Sequence, residues 1–307
     1  VAIVILLTVA FTGISTNQTL SEENKRLQDT LNSIKHIQQP TLVFHVSEKG
    51  EEYQYAQLPN ATYTYEQLSR LNNQSFDLIL LPEYKENLNW NEEKAWIAAN
   101  FGGQDGIPIM LDVFGGGDQN TPTPMLSTEQ IAEALDIANV KYIRFAEVSS
   151  WHIENNLSFP TDYVREVLEF CKSNNLQVFW TEWKNDFPDE NVETFTAIKT
   201  YIQGYDDIVT VSFSTNSQEL EPVDAFLKLG QTFTHWGASI QPWYWHINRN
   251  QDLMTCPPSL ILEHTLTAKA IGAKIIQFEP YWYFFNYDGS PNDNLKLLLT
   301  NLKNSIQ

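Results

Sequence analysis

The segment GAKIIQFEPYWYFF, residues 272–285, carries three signals in a row. Residues 274–278 form a short apolar run of strand length. Glu279 sets a carboxylate at its end, and a dense aromatic run follows. Two other segments repeat the form: KYIRFAE, residues 141–147, leading to Trp151, and QVFWTE, residues 177–182, leading to Trp183. Three apolar strands therefore end on a Glu with an aromatic close behind. Carboxylates serve acid/base chemistry at a glycosidic bond, and aromatic rings offer flat faces to sugar C–H surfaces.

Outward from this segment the chain alternates short apolar runs with amphipathic stretches. Strands are expected at 41–46, 76–81, 107–113, 141–147, 178–181, 208–213, 236–241 and 274–278. Helices are expected at 65–71 (opened by Thr64), 92–100, from Ser127, from Pro160, at 191–201, 221–229, 258–272 and 292–302. Ser127 lies three residues before Gln130, a capping-box spacing, and Gly272 is placed to end its helix in a left-handed cap. Short apolar strands separated by helices mean a parallel sheet covered on both faces. Eight such units predict a closed (β/α)8 TIM barrel over residues 41–307. An open doubly wound sheet is the rival, but the glycine-rich turn at Gly115, Gly116 and Gly117 lacks both the dinucleotide fingerprint and a P-loop lysine.

Ahead of the barrel, residues 1–14 read VAIVILLTVAFTGI, nearly continuously apolar. That suits a signal-peptide core or a membrane anchor, so residues 1–16 are expected to place the remainder outside the cytoplasm, secreted or held at the membrane. Residues 17–40 carry Leu20, Leu27, Leu31 and Ile34 near heptad spacing before Pro40, which predicts a short helical stalk. Nineteen Lys plus Arg against 38 Asp plus Glu give a net charge of −19, which argues against nucleic acid and anionic lipid as partners and leaves a neutral or cationic substrate. Cys171 and Cys256 have no metal spacing and are expected as free thiols.

In such a barrel the active site gathers at the carboxyl ends of the strands. The residues expected there are Glu83, Asp112, Glu147, Glu182, Gln241 and Glu279, with Trp151, Trp183, Trp243, Trp245, Tyr281 and Trp282 as sugar platforms. His45, His152, His235 and His246 show no i, i+4 pair, so neither a metal nor another cofactor is expected. By strict alternation Glu147, Phe145 and Ile143 share a face, which sends Arg144 to the helix side unless the strand bends; Glu182 with Trp180, and Glu279 with Gln277, are expected to point inward.

The strand-four YIRFAEVSSW, the strand-five FWTEW and the strand-eight IIQFEPYWYFF resemble barrel glycoside hydrolases. The family they are most similar to is glycoside hydrolase family 98, endo-β-galactosidases of blood-group glycans that act with inversion. The large retaining clan with an Asn-Glu pair ending strand four fits less well, because Ala146 precedes Glu147 and Gln241 stands at the strand-seven end. The resemblance implies a glycosidase, and we assign Glu147 as general acid, Glu279 as general base and Glu182 as the group that positions the sugar or the water. Two other readings stay open: a non-catalytic carbohydrate-binding barrel at the cell surface, and a metal-dependent enzyme that modifies polysaccharides.

Overall fold

The computed structural model describes residues 39–46, 60–82, 89–114, 125–149, 159–182, 192–214, 222–242 and 255–305. The expected leader at 1–16 and the expected stalk, apart from its last two residues, lie outside the described residues, as do Gly115, Gly116 and Gly117. Eight parallel strands close in sequence order into a ring, β1 pairing with both β2 and β8. The strands are β1 Thr41–Val46, β2 Leu78–Pro82, β3 Gly103–Phe114, β4 Ala138–Ala146, β5 Gln177–Glu182, β6 Val209–Ser214, β7 Trp236–Ile240 and β8 Ile275–Phe278. The helices between and after them are α1 Ala61–Asn72, α2 Trp90–Phe101, α3 Thr128–Ile137, α4 Thr161–Ser173, α5 Val192–Ile202, α6 Pro222–Thr232, α7 Pro258–Ile271, α8 Tyr281–Phe284 and α9 Asp293–Asn304. The expected (β/α)8 barrel is the fold.

Local chemistry sets the helix ends. Ser127 accepts from the Gln130 N–H while the Gln130 side chain accepts from the Ser127 N–H, and Asn89 with Glu92 makes a second such box. Gly272 ends α7 at φ 105, in the left-handed region where only glycine is unstrained. Helix α1 begins earlier than expected because the Asn60 side chain, rather than Thr64, caps it by accepting from the Tyr63 N–H. Helix α4 buries Val164, Val167, Leu168 and Cys171 on one face, each large aliphatic side chain contributing about 1.5–3 kcal/mol. Both cysteines are buried free thiols, and burial pushes Cys171 up to about 12.

Two apolar layers follow from strand alternation. One lies between strands and helices and includes Leu42, Phe44, Ile143, Phe145, Val178, Trp180, Phe278 and Leu299. The other fills the lumen: Val43, Ile79, Leu81, Met110, Phe179 and Ile275, with Tyr142 against them. Gly237 makes room for this plug, since a Cβ there would lie 2.9 Å from Phe179 Cε2 and 2.7 Å from the Ile275 carbonyl oxygen. These layers correct the facing expected for strands four and five. Ile143 and Phe145 lie on the helix side and Arg144 faces the lumen. Val178 and Trp180 likewise lie outside the ring, so Glu182, in phase with them, does not point inward. The period-two reading had the alternation right and its sign reversed, because an apolar residue fits either layer. Among the described residues no helix is long and apolar enough to cross a membrane.

Candidate functional site

Two residues above the apolar plug, toward the carboxyl end, the inner wall turns polar. The inward positions are His45 on β1, Asp112 on β3, Arg144 on β4, Thr181 on β5, Ser212 on β6, Ser239 on β7 and Gln277 on β8; only β2 is apolar there, with Leu81. Polar groups in a barrel interior must find partners, since an unpaired buried group costs about 1–3 kcal/mol. Several of them find one another here, while the Thr181 and Ser212 hydroxyls have no hydrogen-bond partner among the described residues. Arg144 Nη1 donates to Asp112 Oδ2 at 2.9 Å. This pairing resolves the charge expected on the helix side: Arg144 is buried but faces the lumen, matched by a carboxylate on the adjacent strand.

The next inward step brings Gln241 and Glu279 together. Gln241 Nε2 donates to Glu279 Oε2 at 2.7 Å and to Ser239 Oγ at 3.0 Å. Gln277 Nε2 spans the same two acceptors, at 3.3 Å to Glu279 Oε2 and 3.1 Å to Ser239 Oγ. His45 Nε2 stands 3.6 Å from that same carboxylate oxygen. Burial pulls the His45 imidazole down to about 4, against the opposing pull of Glu279; Arg144 adds to the lowering, while Asp112 and a hydrogen bond to Gln277 oppose it. At neutral pH His45 is therefore uncharged beside Glu279. The Glu279 carboxylate itself keeps some exposure, with its side chain 16% accessible, so it faces both the clamp and the mouth.

Glu147 lies across the ring, just past β4, and β4 and β8 are opposite strands. With Ala146 on the inner face, strict alternation would carry Glu147 to the helix side. Its backbone instead turns left-handed, at φ 60, and its N–H donates to the Thr181 carbonyl at 2.7 Å. A side chain with a Cβ in this region costs about 1–3 kcal/mol, and such strain concentrates at functional positions. Glu147 is half-buried.

Glu182 is placed differently. It is fully buried, and its Oε1 accepts from Trp180 Nε1 at 2.5 Å and from the Ser149 N–H at 2.9 Å. Tyr281 and Trp282 do not present faces at the mouth: both are buried, in the short helix α8 that packs behind β8 and β1. Tyr281 stacks on Phe285 at 4.9 Å, and α8 ends in Phe284, which sits edge-on to Phe44 at 6.3 Å. Their apolarity goes into the core. Glu83, Trp151, Trp183, Trp243 and Trp245 lie outside the described residues, as do His152 and His246. Among the described residues no group of three His, Cys, Asp or Glu could hold a metal ion.

Sequence reasoning passed over Arg144 and Ser239 as site residues and weighed His45 only as a metal ligand. Reading two residues backward from Glu279 and from Gln241 would have found Gln277 and Ser239, two members of the polar ring. It also passed over Tyr287, which is 78% exposed at the tip of a turn following α8. That turn is held by Asn286 N–H to Ser290 O at 2.8 Å and by Ser290 Oγ to Asp288 Oδ1 at 2.6 Å.

The fold and this mouth define a (β/α)8 barrel with a carboxylate-centred polar site at the carboxyl ends of its strands. No family profile and no curated protein matches the sequence. Among solved structures the chain is similar to the catalytic module of a family 98 glycoside hydrolase from Streptococcus pneumoniae, with a TM-score of 0.60 and 11% identity over 86% of this chain and 51% of that one. The chain thus spans about half the length of that module. It is also similar to 7,8-dihydropteroate synthase from Vibrio fischeri, with a TM-score of 0.50 and 11% identity over 87% of this chain and 94% of that one. The dihydropteroate synthase of Yersinia pestis gives 0.50 and 10%, over 89% and 95%. At such identities the likenesses establish the barrel, and a barrel of this kind hosts many chemistries.

Proposed function

We propose that the protein is a glycoside hydrolase that cleaves an extracellular oligo- or polysaccharide with inversion, using Glu147 as general acid and Glu279 as general base. The observation that carries this reading is the clamp on Glu279 Oε2 by Gln241 and Gln277. At Glu279 both glutamines present N–H donors to one oxygen, which orients the carboxylate to take a proton from a water molecule. Glu279 Oε1 takes a proton from that water as its oxygen bonds to the anomeric carbon. Glu147 delivers its proton to the glycosidic oxygen as the carbon–oxygen bond breaks on the far side of the sugar. Opposite strands suit the separation of about 6.5–9.5 Å that an inverting pair needs to admit the water.

Neutral amides and hydroxyls around the clamp suit a hydroxyl-rich, uncharged substrate, and the acidic chain suits the same class. With Tyr281 and Trp282 in the core, we assign sugar stacking to Tyr287, which is 78% exposed. A leader at residues 1–16 would deliver such an enzyme to its polymer outside the cytoplasm.

The test is a panel of neutral glycans followed by proton NMR. The wild type should release a product of inverted anomeric configuration first. Glu147→Gln and Glu279→Gln should each lose at least about 1,000-fold in kcat while melting as the wild type does. Full activity in either variant removes that residue from the mechanism, and a retained anomer rejects the inverting assignment.

A further inference from the structure

Glu182 sits on the outer face of the β5 end, in phase with Val178 and Trp180, and has no exposed surface. A carboxylate there is out of reach of a sugar in the lumen, yet it is bound by donors from two elements. Trp180 Nε1 holds its Oε1 from within β5, and the backbone N–H of Ser149 holds the same oxygen from the segment leaving β4. One residue earlier on β5, the Thr181 carbonyl accepts the Glu147 N–H. The end of β5 therefore grips the exit of β4 at two points, and those points bracket the left-handed Glu147 backbone.

We infer that Glu182 is a positioning residue: it straps the Ser149 amide and so keeps Glu147 in the one backbone conformation that aims its carboxyl at the mouth. Left-handed backbone persists at a residue with a Cβ only where the surroundings over-determine it. Three consecutive residues, 147 to 149, would otherwise relax toward extended geometry and carry Glu147 to the helix side. The Trp180 indole fixes the strap in turn, since it orients the carboxylate from a ring packed against Phe145 at 5.3 Å and Phe159 at 6.2 Å. Displacing a reacting group by about 1 Å is enough to lose 100-fold in rate.

This inference rests on the glycosidase reading for its consequence but not for its geometry, and the experiment separates the two. Native-state hydrogen exchange at the Ser149 amide, and kcat on a cleaved glycan, are measured for the wild type, Glu182→Ala and Glu182→Gln. A glutamine keeps an oxygen with two lone pairs for Trp180 and Ser149, whereas alanine keeps nothing. Glu182→Ala should speed Ser149 exchange at least tenfold and lower kcat about 100-fold with KM within threefold. Glu182→Gln should restore both readouts to within threefold of wild type. If Glu182→Gln is as inactive as Glu182→Ala while remaining folded, the carboxylate does chemistry itself and the strap is rejected. Unchanged Ser149 exchange in Glu182→Ala rejects it as well. Should alanine prevent folding, Glu182→Asp, one methylene too short to reach Ser149, serves the same comparison. A wild type that cleaves no glycan counts against the glycosidase reading alone, and the exchange data still decide the strap.

Discussion

Gln241 Nε2 lies 2.7 Å from Glu279 Oε2, the shortest contact in a clamp that ties the ends of β7 and β8 together through Ser239. The amide matters by its polarity. Replacing it with a carboxylate, Gln241→Glu, would set two acids at the same separation, where they cannot both stay ionised and one must hold a shared proton. The base would then be partly protonated at neutral pH. We expect Gln241→Glu to lose at least about 100-fold in kcat near pH 7, while Gln241→Leu, which only loosens the clamp, loses about tenfold. A Michaelis analysis of both variants on the same glycan checks the order; equal losses would mean that the amide contributes shape alone.

The Arg144–Asp112 pair supports a different expectation, about folding. Arg144 is buried and Asp112 half-buried, and removing either strips the other of its matched charge, which costs about 3 kcal/mol, the low end for a buried pair. Asp112→Ala and Arg144→Met should each lower the urea-unfolding free energy by about 3 kcal/mol. The double variant should lose clearly less than the sum, because no orphan charge remains. Additive losses in this cycle would show that the two side chains do not depend on each other.

Much of this was legible from residues alone, and the misses have physical causes. Alternating apolar runs and helix caps such as Ser127–Gln130 foretold eight βα units, because both signals are local. Which face of a strand looks inward is not local. Phe145 fits the helix-side layer and Phe179 the lumen with equal chemistry, so the sign of the alternation had to come from closure of the ring. Arg144 held the missing clue: a charge in the middle of a strand belongs where other polar groups converge, and its neighbour across the pair is Asp112. The aromatic run after Glu279 misled for a related reason. A tyrosine or tryptophan serves a core or a binding face alike, and Tyr281 and Trp282 went to the core.

Backbone strain gives a prediction in which stability and activity move apart. Glu147 pays for its left-handed turn through its Cβ, and glycine relieves that cost while adding about 0.5–1 kcal/mol of unfolded-chain entropy. Glu147→Gly should therefore be as stable as the wild type or more stable by up to about 1 kcal/mol, and should have no detectable turnover. Denaturant titration and the glycan assay together check this. A variant destabilised by more than about 1 kcal/mol would show that the Glu147 side chain is part of the packing.

Tyr287 offers the corresponding test of substrate contact. The residue is 78% exposed on a turn held together by Asn286, Asp288 and Ser290. Removing a stacking face worth about 1.4 kcal/mol costs tenfold in affinity. Tyr287→Ala should raise KM about tenfold on a long oligosaccharide, leave kcat within twofold, and do neither on a short aryl glycoside. An unchanged KM on the long substrate would place the sugar chain elsewhere along the rim.

Two buried groups away from the site should tilt the pH dependence of stability in opposite directions. Burial lowers His264 on α7 to about 4, so between there and 6.5 the unfolded chain binds a proton that the folded one refuses. Its contribution is complete above pH 6.5 and is lost as pH falls toward 4, at up to about 1.4 kcal/mol per pH unit. Burial raises Glu93 on α2 to about 7, so from 4.5 to 7 the folded state holds the extra proton; that contribution is complete below 4.5 and is lost as pH rises through 7. His264→Gln should flatten the acid side, losing about 2–3 kcal/mol less than the wild type between pH 6.5 and 4. Glu93→Gln should gain about 1–2 kcal/mol at pH 8, a figure reduced because water reaches part of that carboxyl, and nothing at pH 4. Urea titrations of the three proteins at pH 4, 6.5 and 8 resolve both effects. Parallel stability curves for wild type and Glu93→Gln would mean that Glu93 finds water or a partner in the folded state and ionises as it does in the open chain.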